Sequence, residues 1–160
     1  MVFEKISEKN YGFFQEIMIE YYRDGEDADT CIDTIKNFID GLFCMINNDK
    51  IDGVMVKNSE VYQGFCLWMK DDGENEFSEI QDYGTILEIG VRPAFRNKGV
   101  GMNLVNYAEE RLKQKDVKGF YVSSYGPSED FWELCGYSRT QNKASNGLTI
   151  FTKCKDRVVK

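Results

Sequence analysis

The chain has 160 residues, 42% of them hydrophobic and 14% aromatic, a length and composition suited to one compact domain spanning residues 1–160 rather than to a disordered segment. It contains no histidine, which excludes Ser-His-Asp and Cys-His nucleophile schemes, histidine-ligated metal centres and imidazole bases; acid–base work falls to carboxylates, Tyr, Cys, Lys or water. A net charge of −7 speaks against binding a phosphate backbone, so a nucleic-acid partner is not expected.

No apolar run exceeds five residues (42–46 and 65–69), so nothing predicts a membrane span. Residues 1–8 lack the charged-then-apolar layout of a secretory signal, and the expectation is a cytoplasmic protein. The cysteines, Cys31, Cys44, Cys66, Cys135 and Cys154, form no C-x-x-C pair. They are expected to be small buried hydrophobes in a reducing compartment, with no metal site.

Residues 2–6 alternate weakly and predict an opening strand. Phe14, Ile17, Met18, Tyr21 and Tyr22 lie on one helical face, and after a polar break at 24–27 a second helix carries Ile32, Ile35, Phe38, Ile39, Leu42, Phe43 and Ile46. Thr30 and Asp33 have the spacing of a capping box at its start. Residues 53–57 and 61–69, with a turn at 58–60, predict a β-hairpin. The segment 71–82 holds six acids and no base, a loop whose composition predicts exposure, with a lid as the functional alternative. A largely apolar strand follows at 85–91. Val100, Leu104, Val105, Ala108 and Leu112 mark a helix that ends among lysines, as its dipole favours. A strand at 120–124, a short helix from a Ser128 cap to Cys135 and Gly136, and a closing hairpin at 137–140 and 148–153 complete the chain. The order β-α-α-β-β-β-α-β-α-β-β predicts an α/β domain with a mixed sheet.

Charge is unevenly spread. Between Arg92 and Lys118 seven cations face three anions, so that stretch is +4 and the remainder −11. Within it, strand residues 87–91 run through Arg92 and Pro93 into a glycine-bearing loop, Arg96-Asn97-Lys98-Gly99-Val100-Gly101, that opens a helix. Gly99 and Gly101 let successive amides converge on an anion at a helix N-terminus, although a helix start with incidental glycines has the same appearance. The loop is not a Walker A motif, because Lys98 precedes Gly99 and no hydroxyl follows for Mg²⁺; it also lacks the first glycine of the dinucleotide fingerprint.

Val91-Arg92-Pro93-x-x-Arg96-x-x-Gly99-Val100-Gly101 resembles the acyl-CoA-binding motif of the GNAT superfamily of N-acetyltransferases, V-x-P-x-x-[QR]-x-x-G-x-[GA]. Phe131-Trp132-Glu133-Leu134-Cys135-Gly136-Tyr137 is similar to that family's closing F-[YW]-x-x-x-G-[FY]. The resemblance implies the GNAT acyltransferase fold, a mixed central β-sheet flanked by helices on both faces, with acetyl-CoA as co-substrate and an amine as acceptor. It implies that the backbone at Ile89, Gly90 and Val91 pairs with the pantetheine arm. Amides across Arg96, Asn97, Lys98, Gly99, Val100, Gly101 and Met102 would hold the pyrophosphate. The thioester would enter beside the next strand, which adds Ser124 and, from the closing helix, Trp132. The basic stretch agrees with a phosphate-rich ligand. Relatives of this kind include dimers, which makes a homodimer one expectation.

The implied reaction is direct attack of an amine on the thioester. A primary amine with a pKa of about 10.4 is protonated at pH 7, so a group must collect its proton. Glu88, a lone acid in an apolar strand and at a position where similar enzymes often carry Asp or Glu, is the candidate base; a carboxylate paired with a cation or at the solvent edge is the plainer alternative. The Val91 N–H is the implied oxyanion donor. Trp132 stands where the family commonly has a tyrosine acid, and Tyr125 where an Asn is frequent. Indole cannot supply a proton, which leaves Tyr125 as the substitute acid, with Tyr121 and Tyr137 expected in the core. Glu20, Asp24, Glu26, Asp27, Asp29 and Asp33 surround Arg23, near where the family's first helices wall the acceptor site. They suggest a small cationic acceptor, or else an ordinary solvated loop. The alternatives in function are acetylation of a protein N-terminus or lysine, and a non-catalytic acyl-CoA sensor, which Trp132 favours.

Overall fold

The computed structural model describes residues 1–25 and 28–156. Along the chain these form β1 (Val2–Lys5), α1 (Tyr11–Arg23), α2 (Ile32–Asn47), β2 (Asp52–Asn58), β3 (Val61–Lys70), β4 (Gly84–Val91), α3 (Val100–Lys113), β5 (Gly119–Ser124), α4 (Glu129–Leu134), β6 (Ser138–Lys143) and β7 (Thr149–Cys154). The strands make one seven-stranded mixed sheet in the order β1-β2-β3-β4-β5-β7-β6. β1 runs antiparallel to β2, and β7 antiparallel to both β5 and β6. β4 and β5 are parallel, with Gly84 opposite Phe120 and Thr85 opposite Tyr121; α3 is the crossover that a parallel pair requires. The element order matches the expected one. Short 3-10 turns at Glu8–Asn10, Pro93–Phe95 and Gly126–Ser128 add to it.

One compact unit comprises Met1–Leu67 and Glu88–Leu104. α1 buries Phe14, Ile17, Met18 and Tyr22, and α2 buries Ile35, Ile39, Leu42 and Ile46, the stripes that the 3.6-residue period marks. The capping box at Thr30 and Asp33 does not form. α2 starts one residue later than that spacing requires, with Cys31 as N-cap and no side-chain cap bond, so Asp33 falls at the second helical position and acts only on the dipole. The box sits instead at Ser7 and Asn10, where the Ser7 N–H donates to Asn10 Oδ1 at 2.9 Å. Glu4, bonded by Asn10, Lys57 and Tyr62, is held at a pKa of about 2 chiefly by those hydrogen bonds.

The second unit comprises Trp68–Leu87 and Val105–Lys160. Val105, Ala108 and Leu112 of α3 are buried in it, and α3 approaches so closely that a Cβ on Gly84 would lie 2.9 Å from Leu112 Cδ1. The acidic loop after β3 is not simply exposed. Asp71 is fully buried, and its carboxylate accepts the N–H groups of Gly73 (2.8 Å), Glu79 (2.8 Å) and Ile80 (2.9 Å) and the Tyr121 hydroxyl (2.7 Å). Burial pushes this carboxyl up, but the bonds from Tyr121 and Gly73 outweigh it and leave the pKa below the ordinary value. Burial, and then the same carboxylate, hold the Tyr121 phenol well above its usual range.

Tyr137, also in the core, donates to buried Glu109, which pairs with Lys153 at 2.8 Å. The cysteine expectation fails for three positions. Cys66 and Cys135 are buried, but Cys31, Cys44 and Cys154 are exposed, and none of the five is in a disulfide. Cys44 lies off the apolar stripe of α2, Cys31 precedes the helix, and Cys154 ends β7.

Candidate active site

The loop between β4 and α3 lies in the first unit. Pro93 starts a 3-10 turn, and Asn97 (φ 60°) and Gly99 (φ 83°) then take left-handed backbone conformations. Asn tolerates this region and glycine meets no penalty there. A Cβ on Gly99 would touch nothing within 4 Å, so the backbone conformation, not crowding, calls for glycine. The first helical bond of α3 runs from Asn103 N–H to the Gly99 carbonyl at 3.1 Å. The N–H groups of Val100, Gly101 and Met102 therefore stand ahead of the ladder, and the first turn contains no acid to occupy them. Left-handed residues before a helix N-terminus make a concavity of positive potential suited to an anion. Lys98 is exposed beside it. Arg96 is already engaged, its Nε donating to the Val91 carbonyl at 2.9 Å and its Nη2 to Asp24 at 2.7 Å.

The orientation of the β4 backbone follows from one bond. Arg92 N–H donates to the Gln63 carbonyl of β3 at 2.9 Å. Because successive residues of a strand point their amides to opposite edges, the amides of Ile89 and Val91 face the edge away from β3. The Arg92 guanidinium forks onto Glu20 (2.9 and 3.1 Å), reaches Glu16 (3.0 Å) and the Tyr62 carbonyl (3.1 Å), and so ties α1 to the end of β4.

Between the last turns of α1 and that strand end lies a cleft of about 390 Å³, lined by Tyr21, Phe65, Gly90 and Val91 among others. Its charged lining is Glu20 and Asp24 against Arg23, Arg92 and Arg96. Two of the acids expected to attract a cationic acceptor are thus matched by arginines. Asp29 and Asp33 are exposed, and Glu26 and Asp27 lie outside the described residues.

Glu88 is half-buried, and its carboxylate accepts the Tyr21 hydroxyl at 2.8 Å and the Tyr22 hydroxyl at 3.4 Å. The helical stripe had placed both tyrosines on the apolar face of α1. Nothing in local spacing tied their hydroxyls to an acid 67 and 66 residues on.

The remaining sequence candidates belong to the second unit. Ser124 is buried, with Oγ donating to the Tyr125 carbonyl at 3.1 Å, and Tyr125 itself is 38% exposed. Trp132 is buried edge-on between Phe131 (5.0 Å) and Tyr137 (5.3 Å). Ser128 stands at the N-cap of α4 but makes no side-chain cap bond. Among the described residues there is no group of three or more His, Cys, Asp or Glu that could hold a metal ion, and no helix long and apolar enough to cross a membrane.

Sheet order, parallel β4–β5 pair and an amide-lined helix start behind V-R-P-x-x-R-x-x-G-V-G describe an acyltransferase scaffold. The sequence profile of the acetyltransferase (GNAT) family matches residues 11–137, and the chain belongs to that family. Among solved structures, an aminoglycoside 6'-N-acetyltransferase complexed with coenzyme A shares the fold at a TM-score of 0.71 and 13% identity, covering 100% of both chains. The PaiA N-acetyltransferase of Thermoplasma acidophilum, also complexed with coenzyme A, gives 0.70 and 14% over 96% of this chain and 99% of the other. A ribosomal-protein-alanine N-acetyltransferase from Brucella melitensis gives 0.69 and 11% over 96% and 99%. No curated protein matches the sequence significantly.

Proposed function

We propose that this chain transfers the acetyl group of acetyl-CoA to the primary amine of a small acceptor. The observation that carries this reading is the start of α3, where Asn97 and Gly99 are left-handed and the N–H groups of Val100, Gly101 and Met102 precede the helical ladder. Those donors, with the backbone at Arg96 and the Lys98 ammonium, suit a diphosphate. A tetrahedral group needs the room that the empty space around Gly99 leaves.

When bound, acetyl-CoA supplies an activated acyl thioester; the chain supplies orientation and proton transfer. The backbone at Ile89 and Val91, on the edge of β4 away from β3, is suited to pair an extended amide-bearing arm in the manner of an added strand. Gly90 lies between them. The Val91 N–H is the donor we assign to charge developing on the acyl oxygen, a fixed dipole needing no reorganisation. Glu88 receives the proton of the incoming amine as the general base we assign. Tyr125 is the donor we assign to the departing sulfur. A thiol pKa of about 8.5 makes that help modest in value. Trp132, buried and without an acidic proton, packs the closing helix.

The acceptor class rests on the cleft beside α1. Its three arginines against two carboxylates give no net pull on a cation, so this lining does not by itself favour a cationic acceptor. The related folds act, by their names, on an aminoglycoside and on a ribosomal protein's alanine, so architecture alone leaves acceptor size open.

The test is thiol release from acetyl-CoA with a panel of polyamines, aminosugars, amino acids and peptides bearing a free N-terminus or lysine. Turnover of small amines above peptides is expected. Turnover confined to peptides replaces the small acceptor by a protein one, and binding without turnover replaces the enzyme by a sensor.

A further inference from the structure

We propose that Tyr21 is a positioning residue that holds the Glu88 carboxylate in its working orientation, an inference that rests on Glu88 being the proton acceptor. Three features of the first unit converge on it. First, the carboxylate is gripped at both ends, Oε2 by the Tyr21 hydroxyl at 2.8 Å and Oε1 by the Tyr22 hydroxyl at 3.4 Å. Second, the Tyr21 ring has a built seat. A Cβ at Gly90 would lie 2.8 Å from Tyr21 Cδ2 and 2.5 Å from Phe65 Cε1, and the two rings meet edge-on with centroids 5.3 Å apart. Residue 90 must lack a side chain for the ring to lie there. Third, the helix that carries Tyr21 is clamped by Arg92 through Glu16 and Glu20, in the stretch that leads up to Tyr21. Charge-assisted, two-pronged bonds of this kind fix rotation as well as distance.

The chemistry gives this arrangement a purpose. A glutamate side chain has three rotatable bonds, and its terminal torsion is broad, so an unheld carboxylate samples many directions. One phenol on each oxygen restricts that freedom, Tyr21 at 2.8 Å more tightly than Tyr22 at 3.4 Å. Tyr21 also lines the cleft, so its ring flanks the entering acceptor while its hydroxyl serves the strand behind.

The test is a double-mutant cycle on the full chain, with acetyl-CoA and the fastest amine of the panel above. Tyr21→Phe keeps the ring and removes only the hydroxyl. We expect kcat to fall about tenfold, the scale of a hydrogen bond to a charged group, with KM for acetyl-CoA unchanged. In the Glu88→Gln background the same substitution should change kcat by no more than about twofold, because there is no base left to position. Tyr22→Phe, removing the longer bond, should cost less than Tyr21→Phe. Equal falls in both backgrounds, a raised KM at constant kcat, or an unchanged kcat in Tyr21→Phe overturns the proposal while leaving acyl transfer standing. Full turnover by Glu88→Gln alone removes the base assignment itself, a separate outcome.

Discussion

The loops on either side of β4 treat backbone donors in opposite ways. In the loop before it, Asp71 supplies an internal anion that takes up the N–H groups of Gly73, Glu79 and Ile80 together with the Tyr121 hydroxyl. In the loop after it, residues 97 and 99 turn left-handed, the amides of Val100, Gly101 and Met102 precede the helical ladder, and the first turn of α3 contains no acid. Donors satisfied from within build structure; donors left for an outside anion build a site. The acid-rich loop is therefore the structural one, and the basic loop the candidate for binding.

The sharpest way to break this contrast is to give the second loop an anion of its own. Gly101→Asp places a carboxylate among the α3 amides, and acetyl-CoA affinity measured by calorimetry should fall by more than about a hundredfold. Unchanged affinity would remove the diphosphate assignment. Next in size is Glu88→Gln, which should lower kcat about a hundredfold with acetyl-CoA affinity retained, as loss of a general base does.

The smallest effect on activity and the clearest on stability belongs to the other loop. Asp71→Asn leaves buried donors without an acceptor and should cost about 3 kcal/mol, a fall in Tm of roughly 6–12 °C. The sign with pH follows from the depressed pKa of Asp71. Its contribution is present above the ordinary aspartate value and lost as pH falls through the lower folded value, so the variant should also lose part of the native chain's destabilisation in acid. A variant as stable as the native chain, with the same acid profile, would make the Asp71 bonds incidental.

Much of this contrast could be read along the chain, and the parts that could not have a common cause. The glycine at 99 was legible because a left-handed residue before a helix is a local requirement; Gly101 lies within α3 and needs no such conformation. Strands and helices were legible because hydrophobic periods of 2 and 3.6 residues are local too. The cap of α2 was misplaced because a motif of spacing alone does not say which residue begins the helix. Asp71 was missed because an acid among acids looks exposed until a fold buries it. The acidic end of α1 was read as opposed by Arg23 alone because Arg92 and Arg96 are some seventy residues away, 72 for each of the bonds to Glu20 and Asp24.

By itself the sequence determined the succession of elements, the apolar stripes and the amide-bearing start of α3, all properties of neighbours in the chain. Only the tertiary structure decided which acids are spent on arginines, which carboxylate is sealed by backbone donors and which is held by two phenols. Those outcomes depend on approach distances between residues dozens of positions apart. A hydrogen bond is gained or lost within a few tenths of an ångström, a precision that packing sets and local pattern does not carry.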